Sequence, residues 1–131
     1  MTKHEQAVIQ HYNLPDEYFN FLGEYRSYAG NLWLPCCKDN DHAFEHKADL
    51  YGGILRLQPT DQVLEIGCGY GAMAKYLSDN FGSYITATNI SEYQYEYAKR
   101  QNSNVNYVLT DWHNLSGQYD KIYSDGCLVH Q

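Results

Sequence analysis

The sequence predicts an α/β fold in which helices cover both faces of a parallel sheet. An apolar run at 63–66 ends in a glycine-rich turn at 67–71, which is typical of a buried parallel strand that turns sharply into a helix. From residue 72 onward, helical patterns alternate with short runs of β-branched and aromatic residues. This alternation of strands and helices favours right-handed crossovers between neighbouring parallel strands.

The residues before the first strand are expected to be mainly helical. A short helix is predicted at 5–10. A second helix begins at Pro15, since proline is favoured in the first turn. Its apolar residues Tyr18, Phe21 and Leu22 share one face, so we expect this helix to pack on the domain like a lid.

A longer helix is predicted at 43–57, after an irregular segment at 25–41. Gly52 and Gly53 weaken its helical propensity. Such a pair predicts a close contact between this helix and the sheet, with a kink as the alternative.

The second half of the chain has clearer signals for where helices begin and end. A helix at 72–81 ends at Gly82, the usual place for a left-handed cap. Ser91 and Gln94 match a capping box that starts the next helix. The remaining predicted elements are a strand at 84–88, a helix at 91–101, and strands at 105–109 and 121–124.

Composition limits the possible functions. The 131 residues carry a formal charge of −7, which argues against binding to a nucleic-acid backbone. Hydrophobic residues make up 44% of the chain, and the start shows neither a leader pattern nor a long apolar run, so we expect a cytoplasmic protein without integral membrane contact. We expect a helical cap at 1–57 and a ligand-binding domain at 58–131.

The chain has four cysteines, which are Cys36, Cys37, Cys68 and Cys127. Their spacing matches neither a zinc motif nor a secreted disulfide framework. The pair at 36–37 is followed by Asp39, Asp41 and His42, so a metal site is an alternative there. Because adjacent cysteines rarely coordinate one ion together, we expect reduced loop thiols and no metal.

The glycine turn predicts a ligand site at the carboxyl end of the first strand. Gly67 and Gly69, followed by Ala72, fit the loose dinucleotide fingerprint. That fingerprint also requires an acid about 20 residues further on, where this chain has Thr88 and Asn89. Nicotinamide binding is therefore a minor alternative.

The run Glu65-Ile66-Gly67-Cys68-Gly69 resembles the first motif of S-adenosylmethionine-dependent methyltransferases. Most of the chain is similar to the cyclopropane-fatty-acid-synthase-like branch of the class I enzymes. The similar segments are 11–13, 28–33, 47–50, 90–98 and 117–122. The resemblance implies a Rossmann-like methyltransferase sheet, S-adenosyl-L-methionine as cofactor, and a small-molecule or lipid-like acceptor methylated at N, O or C.

The resemblance also implies a set of cofactor-binding residues. They are Tyr28, Ala29, Glu65, Gly67, Cys68, Gly69, Gly71, Asn89, Ile90, Gln94, Asp111 and Trp112. Asp111 would accept a hydrogen bond from the adenine amino group, and Trp112 would pack on the ring. Tyr28 would close over the methionine end. Gln94 would border the ribose and adenine, or would serve only as the capping-box partner of Ser91.

Two departures from the family pattern bear on the reaction. Gly30 stands where the family has a cysteine, and Val129 precedes His130 where the family usually has Glu-His. In cyclopropane-forming members this neighbourhood holds a bicarbonate, so the loss of the acid argues against cyclopropanation. His130 is the candidate catalytic base, with a structural role as the alternative.

The family fold has further strands after the fourth one, and these are absent from the sequence. A half-sheet exposes an unpaired edge and an apolar face, so we expect a homodimer or a completing partner chain. The alternative function is therefore a non-catalytic cofactor-binding fragment or an interaction module.

Overall fold

The computed structural model describes residues 2–101 and 103–128. Its elements are α1 (Lys3–Tyr12), a 3-10 helix (Asp16–Leu22), α2 (Asn40–Leu55), β1 (Gln62–Glu65), α3 (Ala72–Phe81), β2 (Tyr84–Asn89), α4 (Glu92–Lys99), β3 (Asn106–Leu109), a second 3-10 helix (Trp112–Asn114) and β4 (Lys121–Tyr123). The four strands form one parallel sheet in the order β3-β2-β1-β4. The predicted α/β class is confirmed. Among the described residues, no helix has the length and apolar character to cross a bilayer.

The register of the sheet brings the strand ends together. Glu65, the last residue of β1, pairs with Ala87 of β2 and Tyr123 of β4. Asn89, the last residue of β2, pairs with Leu109 of β3. Because all four strands are parallel, the loops that follow them meet at one edge of the sheet, the usual place for a ligand.

The core lies between one face of the sheet and helices α2 and α3. Alternate strand residues share a face, and those of the core face belong to one buried cluster with the two helices. The buried members of this cluster are Phe44, Ala48, Leu57, Val63, Cys68, Met73, Ala74, Leu77, Ile85, Ala87 and Tyr123. Ile122, which alternates with Tyr123 in β4, has 54% of its surface exposed.

Helix α2 begins earlier than the pattern predicted because Asp39 caps it. The Asp39 carboxylate accepts a 2.9 Å hydrogen bond from the backbone N–H of His42, which satisfies an otherwise unpaired amide of the first turn. The helix therefore starts at Asn40 and ends at Leu55, where Arg56 takes a left-handed conformation. The predicted bounds of 43–57 were too late at both ends.

The segment after Pro15 differs more from its prediction. It forms a 3-10 helix, whose geometry repeats every three residues. Tyr18 and Phe21 are 62% and 81% exposed, so the predicted packing face is wrong. The earlier helix is longer than predicted, since Thr2 and Glu5 form a capping box at its start.

The close contact at Gly52 joins two helices, not a helix and the sheet. A Cβ placed on Gly52 would lie 2.1 Å from Cζ of Phe81 in α3, whereas a Cβ on Gly53 would meet nothing within 4 Å. The prediction of a close contact was correct, but the prediction that α2 makes this contact with the sheet is wrong, since the neighbour is α3. Gly52 permits the close approach of α2 and α3.

A buried ion pair connects α2 to the loop after β4. Nζ of Lys47 lies 2.6 Å from Oδ2 of Asp125, and their side chains are 7% and 14% exposed. Tyr51 donates a 3.1 Å hydrogen bond to the other carboxylate oxygen. Nζ also donates to the carbonyl oxygen of Ala29 at 3.0 Å. One ammonium thus holds together the helix, the β4 loop and the N-terminal segment.

We expect Gly52→Ala to lower the free energy of unfolding by about 1–3 kcal/mol, because overpacking displaces the Phe81 ring. Gly53→Ala, one position away, should raise the same quantity by about 0.5–1 kcal/mol because it restricts the unfolded chain. Urea unfolding of both variants measures the difference. Equal effects at the two positions would contradict the assigned helix–helix contact.

We expect Lys47→Met to lower the free energy of unfolding by about 3–5 kcal/mol, since it leaves the Asp125 carboxylate buried without its cation. The matched control is Lys75→Met. It breaks a 2.6 Å pair with Asp79 whose side chains are 37% and 43% exposed, and should cost about 0.5 kcal/mol or less. Chemical denaturation of the two variants at equal pH gives the comparison.

Candidate functional site

The turn after β1 is built from three glycines with positive φ. The φ angles are +73° at Gly67, +54° at Gly69 and +84° at Gly71, a region that side chains with a Cβ rarely adopt. Strand β2 supports the turn through Thr88, whose hydroxyl accepts from the Gly67 N–H at 3.2 Å and whose carbonyl accepts from the Cys68 N–H at 2.8 Å. The turn is therefore held against the end of the sheet.

Two of these glycines also lie directly beneath tyrosines. A Cβ on Gly69 would be 3.0 Å from the Tyr28 hydroxyl, and one on Gly71 would be 2.7 Å from the Tyr107 hydroxyl. Tyr107 donates a 3.1 Å hydrogen bond to the Gly71 carbonyl. Larger residues at these positions would displace the rings that cover the turn.

A cavity of about 230 Å³ opens at the carboxyl ends of the strands. Eight of the residues implied by the resemblance line it, namely Tyr28, Gly67, Gly69, Asn89, Ile90, Gln94, Asp111 and Trp112. A smaller space of about 50 Å³ shares the glycine turn and is lined by Ala29, Glu65 and Cys68. The structure therefore brings together predicted residues from four separate segments, although their roles remain predictions.

Two other residues predicted for the site, Gly71 and His130, are not among those that line these two spaces. Gly71 is the N-cap of α3 and contributes to the turn beneath Tyr107. His130, the candidate base, lies outside the described residues together with Val129, so its role stays a prediction.

A polar network joins the N-terminal segment to the end of β2. Gln94 donates a 3.0 Å hydrogen bond to the Tyr28 hydroxyl, and Asn89 donates to the Gly69 carbonyl at 2.7 Å. The Ser91 hydroxyl accepts from the Gln94 N–H, while the Ser91 N–H donates to Asn89 and not to Gln94. Only half of the predicted capping box forms, since the Gln94 side chain reaches into the site.

Asp111 and Trp112 follow β3 on one side of the cavity. Oδ1 of Asp111 accepts from the backbone N–H of His113 at 2.9 Å and lies 2.6 Å from Nδ1 of its ring. The backbone hydrogen bond, and then the imidazole, lower the pKa of the Asp111 carboxyl, so this group is anionic at neutral pH. The Trp112 ring stacks on His113 with a centroid distance of 3.9 Å.

The cavity has a wall that the sequence patterns did not predict. Helix α1 contributes Thr2, His4, Glu5, Val8 and, at its end, Tyr12. It is held there by a 2.6 Å hydrogen bond from the Ser91 hydroxyl to Asn13 and by stacking of the Tyr12 and Tyr28 rings at 5.7 Å. The resemblance at 11–13 was the only sequence signal for this wall. Asp125, Gly126 and Cys127 after β4 also line the cavity and were not predicted.

Glu65 has a completely different environment from Asp111. Its residue surface is 1% exposed, and it lies at the end of the central strand, under the glycine turn. Burial raises the pKa of Glu65 to about 8, and the nearby carboxylate of Asp125 adds to the increase. This carboxyl is therefore mostly protonated at neutral pH in the ligand-free chain.

We expect Glu65→Gln to change how stability depends on pH. The pKa of Glu65 rises from 4.5 to about 8 on folding, so its contribution is most favourable below pH 4.5 and is lost as the pH rises toward 8. Between pH 4.5 and about 8, the free energy of unfolding of the variant should rise relative to that of the wild-type chain by up to about 1.4 kcal/mol per pH unit. Urea unfolding at several pH values measures this gain. Glu96→Gln, which changes an exposed glutamate of α4, is the matched control.

The family model for mycolic acid cyclopropane synthetase matches residues 1–131. A cyclopropane-fatty-acyl-phospholipid synthase from Escherichia coli K12 is 31% identical over 127 residues, which covers 92% of this chain and 32% of that protein. The chain thus spans about a third of this relative.

Solved structures similar to this chain include enzymes of the same kinds. The cyclopropane synthase MmaA2 of Mycobacterium tuberculosis has a TM-score of 0.85 at 26% identity, covering 95% of this chain and 46% of that one. A coclaurine N-methyltransferase bound to N-methylheliamine and SAH has a TM-score of 0.83 at 27% identity, covering 94% and 38%. The predicted cofactor is confirmed for the family, which uses S-adenosylmethionine. The chain therefore belongs to the mycolic acid cyclopropane synthetase family of S-adenosylmethionine-dependent methyltransferases.

Proposed function

We propose that this chain binds S-adenosyl-L-methionine in the 230 Å³ cavity and takes part in methyl transfer to a lipid-like acceptor. The observation that carries the proposal is the meeting of three features in one space. These are the positive-φ glycine turn, the Tyr28–Gln94 hydrogen bond and the anionic Asp111. They come from different segments of the chain and meet at the carboxyl ends of the strands.

The residues at the site fit the parts of this cofactor. Backbone at Gly67 and Gly69 lies open to the cavity without side chains, which suits close approach of a ligand. Asp111 offers an anionic oxygen to an amino group, and Trp112 offers an aromatic surface. Asp125 and Glu65 lie near the turn, where carboxyl groups suit the cofactor's ammonium and sulfonium charges.

The chain's own residues would act mainly through positioning. When bound, S-adenosylmethionine supplies a methyl group activated by a sulfonium. Tyr28, held by Gln94 over Gly69, would limit water at that end of the cavity. The turn and the β2 end would hold the ligand in line with an acceptor, and this positioning would lower the entropic part of the barrier. His130, which lies outside the described residues, is retained as the proposed base.

The proposed acceptor is taken from the relatives, since this chain spans only about a third of the first of them. The relatives include a cyclopropane-fatty-acyl-phospholipid synthase and a cyclopropane mycolic acid synthase, whose names point to fatty-acyl and mycolic acid chains. These names favour an alkene in an acyl chain, and hence cyclopropanation, over the N- or O-methylation that the coclaurine enzyme's name suggests. The proposal therefore revises the expectation drawn from Val129 and Gly30. We also propose that residues 1–57 cap the binding domain at 58–131.

We expect titration calorimetry to show binding of S-adenosylmethionine and of its demethylated product by the purified chain. Asp111→Asn should weaken binding by roughly 10–100-fold, because it removes a charged hydrogen-bond acceptor. Asp79→Asn, an exposed acid in α3, is the matched control and should bind as the wild-type chain does. Equal affinity of the Asp111 variant and the wild type would contradict the assigned site.

Transfer is tested separately with methyl-labelled cofactor and vesicles of unsaturated phospholipid. Label in the lipid, with loss of the double bond, would support cyclopropanation, whereas label with the double bond retained would support simple methylation. Cofactor binding without label in any lipid would favour the non-catalytic alternative. Absence of binding by the folded chain would refute the proposed function.

A further inference from the structure

A cluster of two thiols and one imidazole lies outside the cavity, where the segment before α2 meets that helix. Sγ of Cys36, Sγ of Cys37 and a ring nitrogen of His46 all lie within 4.8 Å of one another. The sequence patterns placed the two cysteines beside Asp39, Asp41 and His42 and did not include His46. In the folded chain the residue that lies beside the two thiols is instead His46, in the second turn of α2.

A proline turn presents the two thiols. The Cys37 N–H donates a 2.9 Å hydrogen bond to the Leu34 carbonyl, which closes a β-turn with Pro35 and Cys36 at its centre. Proline suits the second position of such a turn because its φ is already restricted. Another backbone bond, from the Leu32 N–H to the Ala43 carbonyl at 3.2 Å, holds this segment against α2.

Helix α2 presents the imidazole. His42 and His46 are one turn apart and therefore share a face of the helix, and their rings stack with a centroid distance of 4.8 Å. Nε2 of His46 lies 3.6 Å from Sγ of Cys36. The stacked ring of His42 limits the positions open to His46, so the imidazole is directed toward the turn.

The spacing matches a known coordination geometry. Zinc–sulfur bonds of about 2.3 Å and zinc–nitrogen bonds of about 2.0–2.1 Å at a tetrahedral angle place sulfur and nitrogen about 3.6 Å apart, and two sulfurs about 3.8 Å apart. The Cys36–His46 separation of 3.6 Å already equals the first value. The remaining separations, at 4.8 Å or less, require only small side-chain rotations.

The hydrogen bonds at Cys37 also suit a metal thiolate. The Leu34 N–H donates a 3.2 Å hydrogen bond to Sγ of Cys37, which holds this sulfur at the turn. The thiol proton points to the Leu32 carbonyl at 3.7 Å. Metal binding would replace that proton, as it does whenever a cysteine becomes a ligand.

We propose that Cys36, Cys37 and His46 bind one Zn²⁺ ion, with the fourth coordination position open to solvent. Two thiolates and an imidazole select zinc over magnesium or calcium, which prefer oxygen ligands. The bound ion cross-links the segment after Ala29 to α2. Since Lys47 of the same helix holds the Ala29 carbonyl, zinc strengthens the anchoring of the segment that carries Tyr28. None of the three zinc ligands lines the cavity proposed for the cofactor.

The test is a Co²⁺ titration of the full 131-residue chain, reduced with a non-thiol phosphine and followed by absorption. We expect a thiolate-to-cobalt charge-transfer band that saturates at one equivalent and disappears when Zn²⁺ is added. Cys36→Ser and Cys37→Ser should each reduce the band. His46→Gln should weaken binding by roughly tenfold or more, since losing even an outer-shell partner costs 10–100-fold.

Two variants control for other thiols and imidazoles. Cys127→Ser and His11→Gln, which remove a thiol and an imidazole outside the Cys36–Cys37–His46 cluster, should leave the titration unchanged. Circular dichroism checks that every variant is folded. Absence of the band in the reduced wild-type chain would overturn the proposal, as would a band that persists when both Cys36 and Cys37 are serine. A chain that forms a Cys36–Cys37 disulfide but takes up no cobalt after reduction would do the same.

Discussion

The buried contact between Lys47 and Asp125 joins parts of the chain that are 78 residues apart. Desolvation makes such a pair costly unless other hydrogen bonds complete it, and here Tyr51 and the Ala29 carbonyl do so. The geometry of the site depends on this arrangement. It positions the loop after β4 on one side of the glycine turn and the segment carrying Tyr28 on the other.

The two carboxyl groups of the site differ because their surroundings differ. Asp111 is partly exposed and accepts hydrogen bonds from His113, so it stays ionised. Glu65 is fully buried, and burial favours its neutral form. A cationic ligand part entering beside Glu65 would favour ionisation there, whereas Asp111 needs no such change. The cavity therefore has a fixed charge at Asp111, and the smaller space beside it has a carboxyl group whose charge would respond to a ligand.

Local sequence signals were most reliable where the physical cause is local. The alternation of strand and helix, the turn at 67–71 and the cap at Gly82 were all predicted, since each depends on neighbouring residues. Predictions failed where packing decides. Phe21 was assigned to a packed face and is 81% exposed, and Gly52 was paired with the sheet although it meets Phe81. Both errors concern a partner distant in sequence.

The sequence by itself determined the α/β class, the order of the strands along the chain and the position of the ligand turn, because glycine backbone freedom and hydrophobic periodicity are local properties. Only the tertiary structure decided which residues meet. It placed α1 over the cavity, turned the Gln94 side chain toward Tyr28, and brought His46 to Cys36 and Cys37. These contacts join separate segments whose spacing in the chain carries no information about distance, and they form only when the core orients the helices.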